Sequence, residues 1–388
     1  MAHIYGLSEE ETHVGRMARD LAIESVLPYA GQVDSEGRFP EEAFSALRAN
    51  GLLGLHVPKE FGGLGHGPAV FAAIVEEIAK ACGSTAMCYV MHIASTSSFM
   101  ASQTLADRDS LLTAVGAGNH VSTLAFSERG SRSQFWAPLS QLTPQGDDFV
   151  TTAHKSWITS CDHADSIVSS AQMPNADSPA DVTLYLIDRR TEGVTKTASF
   201  DGLGLRGNDS APVDYQNVFV PSGRLLTTQG AGSGMMLNVI LPWFCVGTAA
   251  MSHGLCLSAI DATTRHLTGQ SFAHSGAALR DLPNLRARLA QMLVLTEQSR
   301  SLLRHTLVML AQPDETTPLY VLQSRMAALQ AAVDVTDLAM KTCGGAAFSK
   351  HLGIERQFRD ARAGWVMSPT VDHLQEFIGR ALVGLPPM

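Results

Sequence analysis

Charge is scarce in this chain: only 17% of its 388 residues are Asp, Glu, Lys or Arg, against about a quarter in ordinary soluble domains. That shortage suits a chain with much buried surface, and 45% hydrophobic content supplies a sizeable core. Basic residues are outnumbered 28 to 37, for a net charge of −9. A generic nucleic-acid surface needs the opposite balance, so no nucleic-acid partner is expected. A small anionic ligand held by a few local cations stays open. Cysteine is sparse as well. Cys82, Cys88, Cys161, Cys245, Cys256 and Cys343 form no C-x-x-C and no paired Cys/His spacing, so no metal is expected and free thiols in a reducing cytosol are the simplest account. The opening MAHIYGLSEEETHV has no apolar core of a signal peptide. No apolar run reaches the ~18 residues a spanning helix needs. These absences predict a cytoplasmic protein that does not engage a membrane.

What is present divides into three parts. Ser8-x-x-Glu11 is a capping box, followed by Val14, Met17, Ala18, Leu21 and Ala22 on one helical stripe that ends at Pro28. Pro40 opens a second helix and Gly51 closes it. HVPKEFGGLGHG is glycine-rich but lacks a Lys-Ser/Thr after its glycines, so it is a turn and not a phosphate loop. Ala69–Ala81 and Ser84–Ala114 continue the helical part. From Val121 to Val220 short strand-like runs alternate with Gly, Asp, Pro and Ser clusters. Val121–Phe126 and Phe149–Ala153 are expected to pair. Trp157 and Thr159 are expected on one face of the second strand, two residues apart. Gly202-Leu-Gly204-Leu-Arg-Gly207 has dinucleotide-fold spacing, but a strand follows it where that motif needs a helix, so the match is rejected. Beyond about Gly232 the chain is helical again, with breaks at Gly269–Ser275, Ala311–Thr317 and Gly344–Leu352. A helix over Met235–Leu267 would be roughly 50 Å long.

Ala125–Gln134 (AFSERGSRSQ) resembles the A-x-T-E-x-G-x-x-S-D signature of the acyl-CoA dehydrogenase superfamily, and Lys155–Ser160 (KSWITS) resembles its K-x-W-I-T-N. The resemblance runs from about Leu7 to Leu385. It implies an α+β fold with an N-terminal helical domain (1–120), a middle β-barrel-like domain (121–228) and a C-terminal four-helix bundle (229–388). It also implies FAD at a subunit interface of a homodimer or homotetramer, with an acyl-CoA or related thioester against the flavin. Carried over by position, Leu124, Phe126 and Ser127 would contact the isoalloxazine, with Trp157 and Thr159 on its other side. Ser133 would lie near the pantetheine or the cofactor phosphates. Phe272 matches the R-K-x-F-G turn, Gly344 and Gly345 match a G-G pair, and Thr370 matches the E-G-T loop. Gly269 stands where that turn has Arg, and Lys341 stands where Gln is usual, so Lys341 is expected to supply the missing charge. No Arg in Leu241–Ala250 matches the one some members use near the CoA.

The largest departure is chemical. Arg359–Thr370 aligns with R-D-A-K-x-x-x-I-Y-E-G-T, which puts Ser368 in the place of the Glu that removes the substrate's α-proton. Some branches carry that carboxylate on the first long C-terminal helix, but Leu241–Met251 (LPWFCVGTAAM) has no Asp or Glu. Loss of a general base typically costs ~10²–10⁴-fold in rate. One reading gives the proton to another group: His92, in the apolar stretch CYVMHIAS, or Asp372, His373 or Glu376. The bland alternatives are a core histidine at 92 and a solvated helix face at 372 and 376. The other reading is different flavin chemistry, since the superfamily includes oxygenases and oxidases that use O2. Ser368 and His92 are the catalytic candidates, the oxygenase is slightly favoured over α,β-desaturation, and a catalytically silent flavoprotein is the third alternative.

Overall fold

The computed structural model describes residues 4–386. The capping box forms as expected. Ser8 Oγ accepts from the Glu11 N–H at 3.2 Å, and the Glu11 carboxylate accepts from the Ser8 N–H at 2.9 Å, starting α1 (Glu9–Leu21). The chain stays coiled past Pro28 through α2 (Ala30–Glu36), an element whose periodicity is too short to read. α3 (Glu41–Ala49) follows Pro40. α4 (Pro68–Ala81), α5 (Gly83–Ala101) and α6 (Arg108–Gly116) complete the helical half. The helix expected over 84–114 is broken at 102–107, because Ser102 and Thr104 turn their hydroxyls to Leu226 O and Leu225 O, at 2.8 and 2.7 Å. The glycine-rich turn before α4 serves packing: a Cβ on Gly63 would sit 2.2 Å from Val57 O.

The middle region is two sheets. β1 (Ser122–Ala125), β4 (Ser166–Gln172) and β5 (Val182–Asp188) form one, in the order β1-β4-β5. β2 (Leu142–Gln145), β3 (Asp148–Ile158), β6 (Val194–Lys196) and β7 (Ala211–Val220) form the other, in the order β2-β3-β7-β6. The expected pairing of Val121–Phe126 with Phe149–Ala153 is therefore wrong. β1 runs parallel to β4, and β3 pairs antiparallel with β2 and β7. The reason lies in burial. All four residues of β1 are buried, as in a strand covered on both faces, whereas β3 alternates buried and exposed positions. The rejected Gly-x-Gly stretch is a packing turn: a Cβ on Gly204 would lie 2.4 Å from Arg359 O.

The C-terminal part begins with α7 (Gly232–Met235) and a π-helical turn that runs into α8 (Leu241–Gly269). α9 (Pro283–Ala311), α10 (Thr317–Cys343), α11 (Gly345–Phe348), α12 (Ile354–Val366) and α13 (Val371–Leu382) follow. The stretch Gly232–Gly269 is long and apolar enough to cross a membrane by length and composition alone, which corrects the expectation that no such segment exists. Here it is the central helix, packed against α4, α5, α9 and α10. The six cysteines are free and buried.

Candidate active site

The loop after β1 is pinned by a buried ion pair. Lys155 Nζ on β3 lies 2.7 Å from Glu128 Oε1, and both side chains are almost fully buried. Glu128 also accepts from the Leu139 N–H (2.6 Å), the Ser140 N–H (2.8 Å) and Ser140 Oγ (2.5 Å), while Lys155 donates to Ser170 O at 2.8 Å. Those extra bonds are what let a buried pair offset its desolvation. Burial pushes the Glu128 carboxyl up, but Lys155 and Ser140 outweigh it and hold it below its ordinary range.

With the loop fixed, its backbone joins β3 next to Trp157. The Ser127 carbonyl accepts from the Ser156 N–H at 3.0 Å. The Trp157 indole is 61% exposed and touches Phe200 only edge-on, with ring centroids 6.4 Å apart. A large flat apolar face thus stands open on β3, one residue beyond the backbone bond to Ser127, while Leu124 and Phe126 are buried. Thr159 is not exposed with it. It is buried, beyond the end of β3 and a register shift between Lys155 and Ile158, and its carbonyl accepts from Thr123 Oγ1 at 2.7 Å.

Ser133 (φ +69°) is joined to the C-terminal half directly: its carbonyl accepts from Ser368 Oγ at 2.5 Å. Beneath Ser368 lies a residue the sequence did not disclose. Arg325 on α10 is completely buried and donates to Pro369 O at 2.7 Å and Met367 O at 3.1 Å. Its guanidinium stands 4.8 Å over the Phe244 ring. It also adjoins Cys245, whose thiol is pushed up to about 11 by burial, partly offset by Arg325. An arginine does reach the Leu241–Ala250 segment, but from a different helix. Among the described residues no Asp or Glu hydrogen-bonds to or ion-pairs with Ser368 or Arg325. Thr370 caps α13, accepting from the His373 N–H.

The other proton-acceptor candidates lie elsewhere. His92 is a core histidine, so its place among the catalytic candidates is corrected. It is fully buried, the Ser122 N–H donates to its Nδ1 at 3.2 Å, and its Nε2–H donates to Leu53 O at 2.8 Å. Burial lowers its pKa to about 4, partly opposed by the Leu53 hydrogen bond, with His120 lowering it slightly further. Asp372 and Glu376 are exposed, and Glu376 pairs loosely with Arg380 at 3.6 Å. His373 packs between Trp136 and Phe377, with a buried Nδ1 that has no partner.

The expected cofactor residues do not form one cluster. Ser133, Ser368 and Thr370 lie at the Phe244 end of α8 with Arg325, and Leu124 and Phe126 belong to the same buried core as Phe244, while Ser127 and Trp157 sit on the loop after β1 and on β3. Phe272, Lys341, Gly344 and Gly345 lie at the other end of α8, about 38 Å along the helix axis from Phe244 to Gly269. Lys341 is exposed, and nothing lies within 4 Å of where a Cβ would stand on Gly344 or Gly345. An open indole face at one end suits a planar ring and bare backbone beside a lysine at the other suits a phosphate-bearing tail, so the residues present fit the two halves of flavin nucleotides, a different nucleotide at each end.

Comparison with known proteins gives the same frame. Residues 8–118, 123–218 and 230–382 match the family models for the acyl-CoA dehydrogenase N-terminal, middle and C-terminal domains. Over 384 residues the chain is 28% identical to a cyclohex-1-ene-1-carbonyl-CoA dehydrogenase of Geobacter metallireducens, covering 97% of this chain and 99% of the relative. Butyryl-CoA dehydrogenase from Megasphaera elsdenii superposes with a TM-score of 0.91 at 20% identity, over 97% of this chain and 99% of that one. The prolyl acyl carrier protein oxidase AnaB superposes with a TM-score of 0.89 at 17% identity, over 97% and 99%. At these identities the structural likeness is one of fold.

Proposed function

Because the chain belongs to the acyl-CoA dehydrogenase superfamily and is a flavoenzyme acting on acyl-CoA-like substrates, we propose that it binds FAD and oxidises a CoA thioester without a carboxylate base, as a flavin-dependent oxygenase. The observation that carries this reading is the Ser368 clasp. The position that elsewhere holds the proton acceptor has a hydroxyl already committed to Ser133 O, and the charge next to it is the cation of Arg325. A neutral hydroxyl donating to a carbonyl is a far weaker base than a carboxylate. FAD, when bound, supplies the electron-accepting centre. The chain's own part is to cover the ring with Trp157, to offer the Ser127 hydroxyl at its edge, and to keep the Ser368 turn rigid. The far residues Phe272, Lys341, Gly344 and Gly345 then serve the cofactor of a second copy, which calls for a homodimer or homotetramer.

A second reading keeps α,β-desaturation with an unusual base, and the buried, unpartnered Nδ1 of His373 favours it. One experiment separates the two. The purified yellow protein is mixed anaerobically with a panel of acyl-CoAs while flavin absorbance is followed; a second sample, its flavin first photoreduced, is mixed with each acyl-CoA and exposed to air with oxygen uptake recorded. Oxygen uptake with an oxygenated product is expected. Bleaching by a saturated acyl-CoA, abolished by His373→Gln, would establish desaturation. Ser368→Glu sharpens the contrast, since it restores a carboxylate and should raise anaerobic bleaching at least tenfold if the missing base is the barrier.

A further inference from the structure

The most deeply buried cation of this fold has no anion beside it. Other cations inside the molecule meet carboxylates: Lys155 meets Glu128 at 2.7 Å, Arg300 meets Glu76 at 2.7 Å and Arg359 meets Asp34 at 2.6 Å. Arg325 is completely buried, yet among the described residues no Asp or Glu pairs with it. Its neighbours are all neutral: the carbonyls of Pro369 and Met367, the Phe244 ring and the Cys245 thiol. Each Nη donates to one carbonyl, and Nε has no hydrogen-bond partner. A guanidinium keeps its charge at any working pH. Carbonyl dipoles and a ring face offset only part of what burying an unpaired charge costs. Arg325 is therefore a fixed positive charge whose field the chain itself leaves unbalanced.

That field emerges at the turn above it. Arg325 holds Met367 and Pro369, the two residues that flank Ser368, and Ser368 is half-buried and not sealed. In the family signature the Ser368 position is a glutamate, whose charge would balance a cation at Arg325. The alternative place for that carboxylate, Leu241–Met251, holds no Asp or Glu either. The charge and the reach of a glutamate are thus both missing at the spot that faces the thioester's α-carbon. We propose that the substrate brings this anion with it: a thioester whose acyl group carries a carboxylate on the α-carbon, recognised by the Ser368 hydroxyl, with Arg325 as the counter-charge behind the turn. Ser368 exchanges its bond to Ser133 O for one to the carboxylate, and a charge-assisted bond is the stronger of the two. It remains a donor throughout. Arg325 touches no ligand; it is a positioning residue that acts through the Met367–Pro369 turn and through a field that its buried surroundings screen weakly. The substrate class rests on the CoA-thioester reading above and makes it specific.

Methylmalonyl-CoA and isobutyryl-CoA share one skeleton and differ by a carboxylate against a methyl on the α-carbon, so the pair isolates the charge. Each is titrated calorimetrically, without oxygen, into the purified full-length holoprotein. Methylmalonyl-CoA should bind at least tenfold more tightly, and about 0.5 M salt should leave most of that preference in place. Arg325→Met should bring the two affinities to about the same value, while Arg325→Lys, which keeps the charge, should retain the preference. Ser368→Glu should reverse it, because the new carboxylate repels the ligand's own. A merely structural role would weaken both thioesters alike and leave their ratio unmoved. Should Arg325→Met not fold, Arg325→Lys and Ser368→Glu carry the test. Equal affinity of the parent for both thioesters, or a preference that survives Arg325→Met or Ser368→Glu, overturns the proposal and leaves the oxygenase reading to its own oxygen-uptake test. A tenfold preference in a protein that takes up no oxygen with either thioester upholds the substrate class and removes the oxygenase reading.

Discussion

The two ends of α8 handle charge in opposite ways. At the Phe244 end the ionised groups are sealed in. Arg325 is wholly buried against two carbonyls and a ring, and Glu128 and Lys155 are buried against each other. At the Gly269 end Arg265, His351 and Lys341 stand largely in the open. A buried charge is tolerated only when the fold supplies its partners, and the first end supplies them for these ions, with Arg325 Nε and His373 Nδ1 left unpartnered beside them. An exposed cation keeps its water, so the second end contributes little to stability. The difference separates sealed from solvated charge along a single helix.

The sharpest way to break this contrast is Glu128→Gln, which leaves Lys155 buried and unpaired and should cost about 3–5 kcal/mol in urea unfolding. Glu128→Leu combined with Lys155→Met should recover most of that, and a single variant costing under about 1 kcal/mol would refute the pinning role. Next, Arg325→Met removes a charged donor from two carbonyls and should cost about 2–3 kcal/mol, with Arg325→Lys intermediate. Acid sensitivity comes third. Burial lowers His56 to about 3, His92 to about 4 and His253 to about 3, from an ordinary 6.5. These groups are neutral when folded and protonate first when unfolded. Their stabilisation is complete above pH 6.5 and is lost as pH falls towards 4, by up to about 1.4 kcal/mol per unit for each group. His92→Gln should flatten that limb in unfolding curves taken from pH 7 to 4.5, and an unchanged slope would contradict the assignment. Smallest of all, Phe348→Ala at the open end should move stability by no more than about 0.5 kcal/mol, measured by thermal unfolding.

Much of this was legible in order along the chain. The Ser8 box, the Pro40 start and the Gly202–Gly207 turn are local signals, fixed by residues three or four apart, and each formed as read. The exposed face of Asp372 and Glu376 was legible for the same reason. The pairing of β1 was not, because a fully buried four-residue strand carries no alternation to say which sheet it joins. The different burial of Trp157 and Thr159 was not legible, because an irregularity and the end of β3 fall beside them. His92 looked like a candidate only until its neighbours were known: both ring nitrogens are taken by Leu53 and Ser122, 39 and 30 residues away.

The sequence by itself determined the three-part α+β architecture, the family and a serine at position 368, since those depend on periodicity, motif and residue identity. Only the tertiary structure decided what surrounds that serine. It brought Arg325 from one helix, Ser133 from a loop and Phe244 from a second helix to one turn, and it carried Arg265 and His351 together at the far end. No local pattern encodes such meetings, because they come from the packing of helices whose buried faces look alike in one dimension.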